Sequence, residues 1–177
     1  SGTPRRSPRC AVPDAERTAA LAGEFGDAVL AHDHVLGKGR IDVRPEAVAG
    51  VLLALRDRGY RHLMSVHGLD YYPDEPRLGV QYELLDRDAL DRITVRLRVA
   101  TDAPNVPSVT PDWPTADHQE REIYDLLGVV FDGHPDLRRI LMPDDYTGHP
   151  QRRDVPIGGE PILFTFNTEP GITGARR

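Results

Sequence analysis

The sequence contains very little cysteine: Cys10 is the only one among 177 residues. A single cysteine excludes an internal disulfide. Because an iron–sulfur cluster or a thiolate zinc site takes about four ligands, it excludes those groups as well. No apolar run approaches the roughly 18 residues that a membrane-spanning helix needs. The composition therefore predicts a globular chain without disulfides, clusters or a membrane span.

Positive charge is also scarce, since 22 basic residues stand against 28 acidic ones and give a net charge of -6. Chains that bind nucleic acid usually carry a basic excess, so we expect no nucleic-acid partner. Lys38 is the only lysine, and nearly all the positive charge is therefore arginine. A guanidinium pairs with a carboxylate through two parallel hydrogen bonds, but composition alone does not separate such a surface from a codon preference.

Hydrophobic periodicity predicts an α+β fold, a mixed β-sheet with helices packed on one face. The expected helices cover 14–25, 45–58 and 117–127, and the expected strands cover 28–34, 40–43, 62–67, 78–85 and 92–99. In the last strand, Ile93, Val95, Leu97 and Val99 alternate with polar residues, as one buried and one solvated face require. Residues 103–114 contain four prolines and are expected to be an extended connector.

The chain is expected to divide into three parts. Residues 1–13 are rich in arginine and proline, lack the apolar core of a secretory signal, and are expected to be a disordered leader. Residues 14–130 form the α+β domain, which ends in the third helix. Residues 131–177 follow as an extended, irregular C-terminal interaction segment, because glycine and proline interrupt them and no regular period remains up to Pro156.

The irregular segment carries the most specific information. Connections longer than about 12–15 residues are usually functional or disordered. Its backbone leaves N–H and C=O groups that need side chains, water or another chain. Its apolar anchors are Leu137, Ile140, Leu141, Met142 and Tyr146, and arginine and aspartate pairs lie between them. Two interpretations stay open: charge-assisted docking to a partner, or wrapping of the segment around its own domain with solvated charges.

Two runs in this region resemble the signature of a known family. The sequences EREIYDLLGV (120–129) and FDGHPDLRRIL (131–141) are similar to the C subunit of the proton-pumping NADH–quinone oxidoreductase, respiratory complex I, in the 30 kDa-type subunit family. Gly148–His149–Pro150 and Arg152–Arg153–Asp154 continue the pattern in the expected order. The resemblance spans roughly residues 15 to 156.

The resemblance implies a non-catalytic scaffold in the hydrophilic, peripheral arm of the complex, at the cytoplasmic face of the bacterial cell membrane. Such a protein packs against the D subunit, which helps to form the quinone pocket, and near the terminal-cluster B subunit. It holds no cofactor, whereas the complex uses NADH, FMN, iron–sulfur clusters and quinone to couple electron transfer to proton translocation. The isolated chain is expected to be inactive. The alternative is the homologous subunit of a complex-I-like membrane-bound hydrogenase or another ferredoxin-dependent quinone reductase.

The residues expected at the partner interface lie in the signature helix and the segment. They are Glu120, Arg121, Glu122, Tyr124, Asp125, His134, Asp136, Arg138, Arg139, Asp144, Asp145, His149, Arg152, Arg153 and Asp154. Glu120 also has capping-box spacing from Asp117, so a cap is the favoured role for its carboxylate. Replacing Arg138 and Arg139 by alanine is expected to leave the fold intact and to weaken assembly.

A stand-alone enzyme is the competing class of function. His134 and His149 could serve as metal ligands or as a base, but each lies between glycine and proline, which favours a fixed turn. The sequence has no nucleophile elbow, phosphate loop or zinc-ligand spacing. No catalytic, cofactor or metal residue is therefore assigned.

Overall fold

The computed structural model describes residues 14–35 and 37–155. The expected leader, 1–13, and the end of the expected interaction segment, 156–177, lie outside the described residues.

Three helices and seven strands make up this part of the chain. The helices are α1 (Asp14–Phe25), α2 (Val48–Asp57) and α3 (Ala116–Leu127). The strands are β1 (Val29–Val35), β2 (Lys38–Val43), β3 (His62–Asp70), β4 (Leu78–Asp86), β5 (Asp91–Val99), β6 (Asn105–Pro107) and β7 (Val130–Asp132). Each predicted helix and strand is present, with ends that differ by a few residues; the first turn of the second predicted helix is the 3₁₀ turn Pro45–Ala47.

Five strands form one mixed sheet in the order β1-β2-β5-β4-β3. The pair β2–β5 is parallel and the other neighbours are antiparallel. The helix α2 carries the chain from β2 to the far edge of the sheet, and the meander β3-β4-β5 then returns to pair with β2. The prediction of a mixed sheet is confirmed.

All three helices cover the same face of this sheet. Gly39 and Gly68 pair in register with Ile93 and Val80, residues of the apolar face. A Cβ at Gly39 would meet Thr18 of α1, and one at Gly68 would meet α3. Leu52 and Leu55 of α2 are fully buried in the same core. The prediction of helices on one face is therefore confirmed.

The opposite face of the sheet is polar. Arg96 donates two hydrogen bonds to the carboxylate of Asp42, at 2.8 and 2.7 Å, between neighbouring strands. Asp33 and Arg40 form a second pair across β1 and β2. Cross-strand pairs of opposite charge stabilise this polar face of the sheet.

The strands β6 and β7 were not predicted. They pair in parallel, with Val106 opposite Phe131, and both of these side chains are buried. β6 lies inside the proline-rich connector and β7 at the start of the irregular segment. Runs of three residues show no measurable period, so only their pairing reveals them.

Candidate partner-docking site

The segment that follows β7, residues 133–155, folds back onto α3 and is held there by Asp125. The Asp125 side chain is completely buried. Its Oδ2 accepts hydrogen bonds from three successive backbone N–H groups, those of residues 140–142, at 3.0, 2.8 and 2.8 Å. Its Oδ1 accepts one from Arg139 Nη1 at 2.7 Å. The carboxylate therefore sets the path of the irregular backbone.

The protonation of Asp125 reflects these contacts. Burial by itself raises the pKa of this carboxyl group, but the N–H groups of residues 140–142 and the Arg139 guanidinium act in the opposite direction. The net pKa of Asp125 is lowered, because every one of these donors favours the charged form. The side chain is an anion at neutral pH with each oxygen hydrogen-bonded.

The end of α3 is capped by the same segment. Gly128 takes a left-handed φ of 80° and ends the helix, which leaves carbonyls of the last turn without helical partners. Arg152 Nε donates to one of them at 2.7 Å and the backbone N–H of Gln151 to another at 3.1 Å. His149 Nδ1 lies 3.0 Å from a third. These contacts replace the solvent that an exposed helix end would need.

A buried arginine fastens the far end of the segment to the sheet. Arg77 forms paired hydrogen bonds with Asp70, at 2.8 and 2.7 Å, and with Asp154, at 2.9 and 2.7 Å. The backbone N–H of Arg153 adds a bond to Asp70 at 2.8 Å. Hydrogen bonding to Arg77 is the largest of the effects that lower the pKa of both carboxyl groups.

His134 fixes the start of the segment. Its side chain is fully buried, and Nε2 lies 3.1 Å from Asp117 Oδ1. Nδ1 accepts the backbone N–H of Asp136 at 3.1 Å. Nε2 also lies 3.3 Å from the backbone carbonyl oxygen of Asp117. These contacts match a fixed turn at the Gly–His–Pro sequence.

The prediction that Glu120 caps α3 is wrong. The N-cap residue is Thr115, and no side chain caps the helix. Glu120 is fully buried and accepts hydrogen bonds from the Ser108 hydroxyl at 2.6 Å, the Thr110 hydroxyl at 3.1 Å and the Val109 N–H at 2.9 Å. Burial raises the pKa of Glu120, and these donors only partly oppose the shift. The residue lies on the inner side of α3, so it holds the connector instead.

The predicted interface residues thus divide into two groups. Internal contacts engage Glu120, Arg121, Asp125, His134, Arg139, His149, Arg152 and Asp154. Bonds within the chain engage these groups, as the interpretation in which the segment wraps around its own domain predicts. Their assignment to a partner interface stays a prediction. Tyr124 is half-buried, in edge contact with the His149 ring.

The second group points outward. It consists of Glu122, Asp136, Arg138, Asp144, Asp145 and Arg153, and we call these residues together with Leu141 the outward surface. Leu141 is 58% exposed, and the Arg138 side chain is 70% exposed, with Asp136 as its ion-pair partner at 2.9 Å. The interface prediction continues to apply to this surface.

Sequence reasoning missed the anchors outside the signature. Arg77 is adjacent to no recognisable motif, and it meets Asp154 across 77 positions of sequence. The cluster of Ser108, Thr110 and Glu120 likewise joins a connector to a helix. No local pattern links such residues.

The fold and the site together define an α+β protein whose last helix carries a rigid, outward-facing segment. Among the residues that the structure describes, no group of three or more His, Cys, Asp or Glu side chains is placed to hold a metal ion. Over the same residues, no helix has the length and apolar character that crossing a membrane requires.

Comparison with known proteins gives the family. Residues 41–161 match the family described as "Respiratory-chain NADH dehydrogenase, 30 Kd subunit". The C subunit of NADH-quinone oxidoreductase from Roseiflexus castenholzii is 44% identical over 154 residues, which cover 85% of this chain and 88% of that protein. The equivalent protein of Salinispora tropica is 44% identical over 79% of this chain and 59% of its own length. The chain belongs to the 30 kDa subunit family of respiratory-chain NADH dehydrogenase.

Solved structures agree with this assignment. A trypsin-resistant fragment of Nqo5 superposes with a TM-score of 0.60 at 36% identity, covering 69% of this chain and 98% of the fragment. A chain of an archaeal membrane-bound sulfane sulfur reductase has a TM-score of 0.70 at 19% identity, over 81% of this chain and 86% of its own. The second likeness concerns the fold alone.

Proposed function

We propose that this chain is a non-catalytic scaffold subunit in the hydrophilic arm of NADH–quinone oxidoreductase, at the cytoplasmic face of a bacterial cell membrane. It docks on the quinone-site D subunit, close to the terminal-cluster B subunit. In that position it supports electron transfer from NADH to quinone and the coupled proton translocation. The FMN, clusters and quinone belong to other subunits, and the isolated chain has no activity.

One observation supports the proposal: an irregular segment is fixed internally while the residues of its outward surface are exposed. Asp125 and Arg77 each hold the backbone or side chains of the segment through several charge-assisted bonds. A segment that is already ordered loses little conformational entropy on docking. The exposed Leu141 and the charged residues around it then supply an apolar anchor with a polar rim.

The test is recovery of the assembled complex through an affinity tag on this chain. We expect Arg138→Glu combined with Leu141→Asp to lower recovery of the D and B subunits by about tenfold, equivalent to about 1.4 kcal/mol of association free energy. Both side chains are exposed, so the melting temperature of the isolated chain should not change. Leu30→Asp, at a leucine that is 63% exposed on β1, is the matched control and should assemble normally.

The structure also revises the substitution that the sequence suggested. Arg139 donates to Asp125 and to the Gly148 carbonyl, so Arg139→Ala acts on the fold of the segment. Of these two arginines, only Arg138 can be replaced to test docking without also changing the fold of the segment. Unchanged recovery with the Arg138→Glu, Leu141→Asp variant would contradict docking through the outward surface.

Mass spectrometry of the recovered proteins separates the two assemblies. Subunits that bind NADH and flavin identify NADH–quinone oxidoreductase, and a nickel-site large subunit identifies the hydrogenase alternative. Identities of 40–45% to C subunits of NADH-quinone oxidoreductase over most of the chain favour the first. NADH oxidation by the pure chain would contradict the non-catalytic role.

A further inference from the structure

The hairpin between β4 and β5 carries a leucine that packing among residues 14–35 and 37–155 does not explain. Leu90 is 84% exposed, the highest value among the large apolar residues described. Its φ is 54°, and among the described residues no other non-glycine residue has a positive φ. Glycine or asparagine suits this left-handed conformation better than leucine does. An apolar side chain is thus held in solvent on an unfavourable backbone.

The turn itself is rigid. Asp86 Oδ1 accepts hydrogen bonds from the backbone N–H groups of Asp88, at 3.0 Å, and Ala89, at 3.1 Å. These bonds fix the tip of the hairpin, so Leu90 projects from a defined position. A rigid apolar side chain of this kind can serve as an anchor in a partner's pocket.

Cationic side chains lie beside the hairpin that carries the leucine. A cleft of about 400 Å³ beside the hairpin is lined by Gly59, Arg61, His62, Arg87 and Asp88. Within residues 14–35 and 37–155, neither Arg61 nor Arg87 forms an ion pair. Both are exposed, as is Arg92 at the start of β5.

The acidic residues of the hairpin point inward. Asp86 bonds to the turn, and Asp91 accepts a hydrogen bond from the buried Tyr60 hydroxyl. Only Asp88 is exposed among the carboxylates of this hairpin. The outer surface of the tip is therefore positive, although the whole chain carries a net charge of -6.

We infer that the tip, composed of Leu90, Arg61, His62 and Arg87, is a second docking contact that binds an acidic protein surface. Leu90 enters an apolar pocket of the partner, and carboxylates at the rim of that pocket pair with Arg61 and Arg87. The inference rests on the proposed function in one respect: the acidic surface belongs to another subunit of the same assembly.

The position of the tip indicates how this contact would orient the chain in the assembly. β3 begins opposite Leu85 next to the tip, and it ends opposite Leu78 next to the Arg77 anchor. Nine residues of strand separate the two ends by about 30 Å. Two contacts at opposite ends of a rigid sheet fix the orientation of the chain, which a single contact does not.

A protein fits the tip better than a membrane does. Stable adsorption to lipid needs two signals, such as a buried acyl chain or amphipathic helix together with a cluster of about 4–8 basic residues. The tip offers one leucine, two arginines and one histidine. A single anchor with a charged rim is the usual composition of a contact between proteins.

Two variants test the inference in the tagged complex. Leu90→Asn relieves the left-handed backbone, so we expect the isolated chain to melt at a temperature a few degrees higher. The same variant should recover about tenfold less of the partner subunits. Arg61→Glu with Arg87→Glu should lower recovery at least as much, and the remaining association should lose the salt dependence of the wild type. Leu30→Asn is the control, with unchanged recovery.

For Leu90→Asn, the melting temperature should rise while recovery of the partner subunits falls. These opposite changes distinguish docking from a structural role of Leu90. Normal recovery by both tip variants, with a wild type that assembles, would overturn this inference and leave the proposed function intact. A wild type that recovers none of the subunits would overturn both. Binding of the wild type to phosphatidylglycerol vesicles that Leu90→Asn abolishes, with assembly unchanged, would replace the protein partner by a membrane.

Discussion

At the scale of single residues, the buried carboxylate of Asp125 holds the irregular segment, residues 133–155, in place through four hydrogen bonds. We expect Asp125→Asn to lower the free energy of unfolding by about 2–4 kcal/mol, since it removes a charge-assisted bond to Arg139 and turns an amide group toward backbone N–H donors. Urea unfolding of the isolated chain measures the change.

Asp136→Asn is the matched control for that substitution. The Asp136 side chain is mostly exposed and pairs only with Arg138, and exposed ion pairs contribute roughly 0–1 kcal/mol. Equal losses for the two variants would mean that the bonds from residues 140–142 do not stabilise the chain.

At the scale of elements, the close approach of α3 to β3 depends on a glycine. A Cβ at Gly68 would overlap the Leu127 side chain and lie 3.1 Å from Ile123. Gly68→Ala should therefore push the helix outward and destabilise the chain by about 1–3 kcal/mol, as overpacking does. A shift in the melting temperature measures it.

A second glycine provides the comparison. Gly50 is exposed on α2, and an added Cβ there meets nothing within 4 Å. Gly50→Ala should stabilise the chain by about 0.5–1 kcal/mol through helix propensity. The pair of variants separates packing from propensity, and stabilisation by both would contradict a tight contact between α3 and β3.

At the scale of the whole molecule, the anchors make stability depend on pH. The folded pKa values of Asp70, Asp125 and Asp154 are lowered from the ordinary aspartate value of 3.8. Their contribution is therefore complete above that ordinary value and is lost as the pH falls through the folded values. We expect these three groups to cause no loss of the free energy of unfolding from about pH 7 to 5 and a decline below about pH 4.

Glu120 acts in the opposite direction. Its pKa is raised by burial, so its ionised form destabilises the fold, and this effect disappears as the pH falls through its folded pKa. The two effects fall in different pH ranges, since the three aspartates act below the ordinary value of 3.8 and Glu120 acts above its ordinary value of 4.5. Asp125→Asn should make the acid decline shallower, which urea unfolding between about pH 3 and 7 checks; an equally steep decline would show that Asp125 does not contribute to it.

The sequence alone predicted the parts of this protein that depend on neighbouring residues. The alternation from Ile93 to Val99 and the apolar face of α3 arise from local periodicity, which the chain carries wherever it folds. The signature at residues 120–141 indicated the family that comparison then showed.

The tertiary structure decided which charged residues face inward. Capping-box spacing at Glu120 is identical whether the side chain caps the helix or enters the core, and only the position of α3 against the connector separates the two. The pairing of Arg77 with Asp154, and of β6 with β7, joins residues that are far apart in sequence. Such contacts form because burial leaves polar groups without water and packing brings distant partners within reach, and neither condition is present in a local pattern.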